Sequence, residues 1–188
     1  MQRVLTLKPL VLVTGKPGIG KTSILRRTIN ELRTRKCEVG GMICREVREG
    51  GVRVGFEIMD LSTGTRGWLA HVNQPTGPKI GKYRVNLTDL EVIGVGAILD
   101  ALQNADVLAV DELGPMEFSS AAFSKALVKA VESSKPLIGT IHYGLKNSLV
   151  DSIKNREETE ILKVNYKNRA KLHNLIANKI SEHLIKRS

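Results

Sequence analysis

"LVLVTGKPGIGKTS", residues 10–23, decides the fold. Leu10 to Val13 form a short uninterrupted apolar run, the pattern of a parallel strand buried on both faces. Directly after it, Gly15-Lys16-Pro17-Gly18-Ile19-Gly20-Lys21-Thr22 fits G-x-x-x-x-G-K-[ST] at every fixed position, and Lys21 to Arg35 follow as a helix. A plain strand-to-helix turn does not require Lys-Thr at the helix start. Gly15, Gly18 and Gly20 accept positive φ and carry no Cβ, so successive backbone N–H groups can turn inward around a phosphate. The helix adds its positive N-terminal end. Lys21 then reaches the β and γ phosphates, and the Thr22 hydroxyl ligands Mg²⁺ beside them. Residues Gly15 to Thr22 are therefore the expected phosphate-binding loop, with Mg²⁺ as the expected cofactor.

A second stretch, "VLAVDELGPMEFS" at 107–119, repeats the strand pattern: Val107, Leu108, Ala109 and Val110 precede Asp111. In an open α/β sheet ligands bind beyond the carboxyl ends of the strands, where both Gly15 and Asp111 would lie. Asp111 reads as the acid that shares Mg²⁺ with Thr22. Glu112, beside it, can accept a proton from water and aim that water at the γ phosphate, which favours hydrolysis over transfer. Glu117 has two readings. It lines the nucleotide pocket, or it caps the helix that runs from Ser119 through Ala121, Phe123, Leu127 and Val131.

Length, composition and charge set the frame. A chain of 188 residues has the size of one domain, and one P-loop domain over 1–188 is the expectation. The start, residues 1–9, has no signal-peptide pattern, and no apolar run approaches the roughly 18 residues that cross a bilayer. A cytoplasmic protein without a membrane partner is expected. Cys37 and Cys44 lack a metal-ligand partner pair and read as reduced, partly buried thiols. The net charge of +10 suits a substrate that carries several phosphates. It leaves nucleic acid open as a partner without favouring it, because the basic residues are spread along the chain, including Lys186 and Arg187 at its end, with no aromatic RNA-binding motif among them. No pattern in the chain sets an oligomeric state.

Elsewhere, Glu38 to Val47 is β-like, "EGG" at 49–51 makes a hairpin turn, and Val52 to Met59 alternates as a half-buried antiparallel strand. Ser62-Thr63-Gly64 turns into Thr65 to Val72, completing a β meander inserted into the α/β scaffold. Asn73 to Lys82, rich in Pro and Gly, reads as a loop and candidate flap. Tyr83 to Leu87 is a further strand, and Thr88-Asp89-Leu90-Glu91 reads as a capping box that opens a helix to about Gln103. Leu137 to Ile141 is a buried strand; Thr140 or His142 would sit near the γ phosphate if it neighbours the phosphate-loop strand. Glu160 to Val164 is the last strand. Leu172, Leu175, Ile176, Ile180 and Leu184 recur at helical spacing and dock a C-terminal helix.

These residues resemble a family of small P-loop nucleoside-triphosphatases found in archaea, thermophilic bacteria and animals. The resemblance spans nearly the whole chain: "GKPGIGKT" at 15–22, "GGMICREVREGGVRVGFEIMDLSTGTRGWLA" at 40–70, "GKYRVNL" at 81–87, "VDELGPMEFSS" at 110–120, "GTIH" at 139–142 and "NRA" at 168–170. The block at 40–70 is the most specific of these, since many ATPases share the two nucleotide motifs. Met42-Ile43-Cys44 departs from the family where an aromatic residue is common, which touches packing more than chemistry. The resemblance implies a three-layer α/β/α P-loop fold with a RecA-like core and mixed sheet. It also implies Mg²⁺-dependent hydrolysis of ATP, GTP, CTP and UTP or TTP to the diphosphate with weak base preference. Carried over residue by residue, Gly15 to Thr22 bind phosphates, Val107 to Gly114 (Val107, Leu108, Ala109, Val110, Asp111, Glu112, Leu113, Gly114) form the second nucleotide-binding segment, and Glu112 and Lys21 are the catalytic residues, Glu112 as the base. Arg169 either approaches the nucleotide or is structural. Two other readings stay open: a P-loop kinase, with lid candidates around Lys79 and Lys82 or at Lys154 to Arg156, and an RNA-associated nucleotide switch.

Overall fold

The computed structural model describes residues 7–186. Residues 1–6 of the start and Arg187 of the basic end lie outside the described residues. Among the described residues, no helix is long and apolar enough to cross a membrane.

A nine-stranded mixed sheet forms the frame. In chain order it is built from β1 (Leu10–Thr14), β2 (Val39–Glu49), β3 (Val52–Asp60), β4 (Arg66–His71), β5 (Lys79–Ile80), β6 (Tyr83–Val85), β7 (Val107–Leu113), β8 (Leu137–Ile141) and β9 (Thr159–Lys163). In space the order is β5-β6-β4-β3-β2-β7-β8-β1-β9. The pairs β2/β7, β7/β8, β8/β1 and β1/β9 are parallel, whereas β2/β3, β3/β4, β4/β6 and β5/β6 are antiparallel. The expected meander is therefore an extension of the sheet, joined through β2.

The apolar run of β1 divides its side chains by period 2. Leu10 and Leu12 enter one core with Leu108, Val110 and Phe123; Val11 and Val13 enter the other with Ile24, Leu25, Ile29, Ile176 and Ile180. The first core lies under α3 (Gly96–Asn104), α4 (Ala121–Glu132) and α5 (Ser148–Lys154). The second lies under α1 (Lys21–Thr34) and α6 (Leu172–Ile185). The architecture is three-layered α/β/α, as the crossovers of a parallel sheet demand. Gly41 permits the junction between the two halves. Its φ is 111°, and a Cβ there would stand 2.1 Å from the carbonyl oxygen of Ala109, so only glycine lets β2 lie against β7.

Four details differ from the sequence reading. The helix expected to open at a capping box of Thr88 and Glu91 begins earlier: Asn86 is the N-cap, its side chain accepting from the N–H of Asp89 at 3.2 Å. The would-be cap carboxylates serve tertiary partners instead, Asp89 accepting from the Trp68 N–H at 2.8 Å and Glu91 from the Ser120 hydroxyl at 2.8 Å. The helix then runs from α2 (Leu87–Asp89) through a π turn, Leu90–Val95, into α3. Within the candidate flap, Lys79–Ile80 is strand, paired to β6 at the outer edge of the sheet. Leu175, counted in the apolar stripe of α6, is half exposed.

Candidate functional site

The carboxyl ends of β1, β8 and β7 lie side by side, because all three are parallel and β8 sits between the other two. The glycine-rich loop of residues 15–22, the expected phosphate loop, leaves β1 at Thr14. Gly18 and Gly20 adopt φ of 74° and 107°, the left-handed region that a side chain would disfavour. Ile19 is buried and anchors the loop in the α1 core, whereas Lys16, Pro17 and Gly18 face solvent. Gly20 is the N-cap of α1 and offers no side chain to the first N–H groups, and no acid stands in the first turn. The positive end of a 14-residue helix is thus left to an external anion.

Across the cleft, Asp111 is almost wholly buried. Its Oδ1 accepts from the Thr22 hydroxyl at 3.2 Å and from the Thr140 hydroxyl. Its Oδ2 is buried without a hydrogen-bond partner. Burial pushes the Asp111 carboxyl up to about 6, with the charge of Glu112 acting in the same sense, against the two threonine hydrogen bonds and Lys21. Glu112 points its Oε1 at two cations or potential cations: Lys21 Nζ at 3.6 Å and His142 Nδ1 at 3.3 Å. Lys21 also reaches back to the Gly15 carbonyl at 3.5 Å. Neither contact is a well-directed hydrogen bond, since that Glu112 oxygen has no partner by hydrogen-bond geometry. These are charge contacts in a cleft wall that a ligand can rearrange.

Glu117 lies inward of this pair, 4 % exposed. Burial pushes its carboxyl up to about 8, opposed by hydrogen bonds from the backbone N–H groups of Glu117 and Gly114 and reinforced by Glu112 and Asp111. It does not cap the following helix. That task falls to Ser120, whose hydroxyl accepts from the Phe123 N–H at 3.2 Å. Cys44, buried, has its thiol pushed well above the ordinary value by burial first and then by Glu117, Asp111 and Glu112. The cysteines are free, as expected. Periodicity along the chain does not place Cys44 near the acids; the pairing of β2 with β7 does.

Thus Gly15 to Thr22 and the Asp111-Glu112 end of Val107 to Gly114 meet in one cleft, joined by Thr140 and His142, while Val107 to Val110 are core. Arg169 stands exposed with its guanidinium 5.0 Å over the ring of Tyr166. The kinase-lid candidates lie elsewhere. Lys79 is on the outermost strand at the far edge of the sheet. Lys154 and Arg156 pair with Asp151 and Glu158 before β9, at the amino end of the parallel strands.

The protein class that this fold and cleft define is a P-loop nucleotide-binding protein. A family model described as "NTPase" matches residues 10–177. The nucleoside-triphosphatase THEP1 of Thermofilum pendens is 45% identical over 171 residues, covering 90% of this chain and 94% of that protein. Its counterpart from Methanosarcina barkeri is 41% identical over 173 residues, covering 92% and 97%. The chain belongs to this NTPase family. Among solved structures, a human cancer-related nucleoside triphosphatase superposes with a TM-score of 0.75 at 33% identity, covering 90% of this chain and 96% of that one. THEP1 of Aquifex aeolicus superposes with a TM-score of 0.80 at 23% identity, covering 90% and 98%, and supports the fold.

Proposed function

We propose that this member of a nucleoside-triphosphatase family hydrolyses ATP, GTP, CTP and UTP or TTP to the diphosphate and phosphate, in a Mg²⁺-dependent reaction with weak base preference. The observation that carries the reading is the meeting of Lys21 with Glu112 and of Thr22 with Asp111 across one cleft.

The residues fit Mg²⁺. The Thr22 hydroxyl and the Asp111 carboxylate are hard oxygen donors in contact, and Asp111 Oδ2 is a buried acceptor with no protein partner. Among the described residues no group of three or more His, Cys, Asp or Glu could cage an ion, which suits a metal held by one or two protein oxygens and completed by phosphates. When bound, the ion supplies neutralisation of charge on the phosphate oxygens.

The protein groups supply the rest. Residues 15–22 hold the phosphates through backbone N–H groups and the α1 end. Lys21 moves its charge from Glu112 to the phosphates, which frees the Glu112 carboxylate to accept a proton from water. The bond from water oxygen to the γ phosphorus forms as the bond to the β-bridging oxygen breaks, and the diphosphate leaves. The contacts are to phosphate, which every nucleotide shares, so base preference is weak.

A phosphate-release panel over the five triphosphates, with Mg²⁺ and with EDTA, tests this. Release from several nucleotides that EDTA abolishes is the expected result. Nucleotide binding without turnover, or phosphate recovered on an acceptor instead of in solution, would overturn it.

A further inference from the structure

The nucleoside end of the ligand also has a place on this surface. The reactive end of a triphosphate is directed toward β7 and β8 by Lys21, Glu112 and Asp111, so its other end must leave toward the opposite neighbour of β1, which is β9. The segment that emerges from β9 is tied to the phosphate loop. Thr14 and Lys163 are register partners, the Val164 N–H donates to the Thr14 carbonyl at 2.8 Å, and Gly15 lies against Val164 so closely that a Cβ would meet it at 3.3 Å.

Residues 165–171 are held in one shape by two asparagines. Asn165 Oδ1 accepts from the N–H groups of Lys167 at 2.9 Å and Asn168 at 3.0 Å. Asn168 Oδ1 accepts from the Asn165 N–H at 2.9 Å, and its amide donates to the Lys163 carbonyl at 2.9 Å. What this rigid turn presents is Tyr166, 78 % exposed, with Arg169 stacked 5.0 Å from its ring centroid. Arg169 lies over one face of the ring, and the residue as a whole is mostly in solvent. Packing does not account for an aromatic ring left this bare. Tyr143, also exposed, follows His142 just past the carboxyl end of β8 and so stands at the reactive end. The turn is basic as well, with Lys167, Arg169 and Lys171 and no acid between Asn165 and Lys171.

We propose that Tyr166, backed by Arg169, is the platform on which the nucleobase stacks. The inference rests on the triphosphate reading of the cleft and adds to it the site of the base. Stacking on an aromatic face is tolerant of base identity because every base has a π face, so such a platform adds affinity for nucleosides of all kinds without selecting among them.

The experiment measures equilibrium binding of ADP, UDP and inorganic pyrophosphate, with Mg²⁺, to the full chain and to Tyr166→Ala and Tyr166→Phe. Tyr166→Ala is expected to weaken ADP and UDP about tenfold, leaving pyrophosphate unchanged, and Tyr166→Phe to restore both nucleotides. Unchanged ADP and UDP binding in Tyr166→Ala overturns the platform, and so does an equal loss for all three ligands, which would make Tyr166 a support of the phosphate loop. The two readings fail separately. A wild-type chain that binds nucleotide but releases no phosphate removes the hydrolase and leaves the Tyr166 result standing; a hydrolytic wild type with Tyr166→Ala binding ADP normally removes only the platform.

Discussion

The two halves of the sheet are built from the same ladder of backbone hydrogen bonds and are used in opposite ways. In the parallel half, Leu10 to Val13, Val107 to Asp111 and the whole of β8 are buried, with helices covering both faces. In the antiparallel half one face is covered throughout, with Ile58, Leu69 and Ala70 packed against Leu90, whereas the other is covered only beside the junction, by Ile43 and Met59 under the second core. The other face holds ion pairs in the open, with Glu57 between Arg45 and Arg66, while Glu46 accepts from Arg53 at 2.8 Å near the hairpin tip. Water reaches one half and is excluded from the other, so a charge at the end of a parallel strand is worth far more than one on the meander. The polar groups of the cleft gather where the dry half ends.

That contrast is open to direct attack. The largest effect is expected at the strand end: Glu112→Gln should lower the phosphate-release rate about 10²–10⁴-fold while nucleotide binding, followed by calorimetry, persists. If Glu112→Gln turns over normally, the cleft has another base. Next, Leu12→Ala, at a side chain with no exposure, should cost about 2–5 kcal/mol in denaturant unfolding. A loss below that range would mean the core closes around the void.

Glu117 sharpens the picture through pH. Its folded carboxyl titrates at about 8, well above the ordinary carboxyl range. Between those values the folded state holds a proton that the unfolded chain has released, so this group makes stability fall as pH rises, by roughly 1.4 kcal/mol per unit. Glu117→Gln removes that slope. The variant's advantage over wild type in chemical unfolding should therefore grow from pH 5 toward pH 8, and Asp111, present in both, cancels. A constant difference across this range would show that Glu117 is ionised in the fold. The smallest effect belongs to the meander. The Arg53 hydrogen bond beside Glu46 holds that carboxyl below its usual range, yet both partners are solvated, so Glu46→Gln should cost under about 1 kcal/mol and less still in high salt. A larger loss would place the meander among the elements that hold the fold together.

The dry half was also the more legible. β1, α1 and β8 emerge within a residue or so of their expected bounds, because a run such as Leu137 to Ile141 between polar turns has few other ways to be buried. The capping box misled for a physical reason. Thr88 and Glu91 have the right local spacing, but the Ser120 hydroxyl takes the Glu91 carboxylate and Asn86 takes the cap. Glu117 was open between two roles for the same reason, since Ser120, three residues on, makes the cap. Thr140 and His142 depended on which strand lies beside β1, a choice made by packing across the sheet.

By itself, then, the sequence determined the glycine-rich loop at 15–22, the apolar strands that flank the site and the acidic pair Asp111-Glu112, all of which follow from patterns within a few residues or from apolar periodicity, while the three-layer architecture is what the family resemblance across the whole chain implies. Only the tertiary structure decided that β8 separates the two motif strands, that Thr140 bonds Asp111 while His142 faces Glu112, that Glu117 and Cys44 lie near the acids, and that Tyr166 stands bare two residues past Val164, which bonds Thr14. Those facts depend on strand order and on desolvation. Both are set by how distant segments share one buried volume, which no short window of residues records.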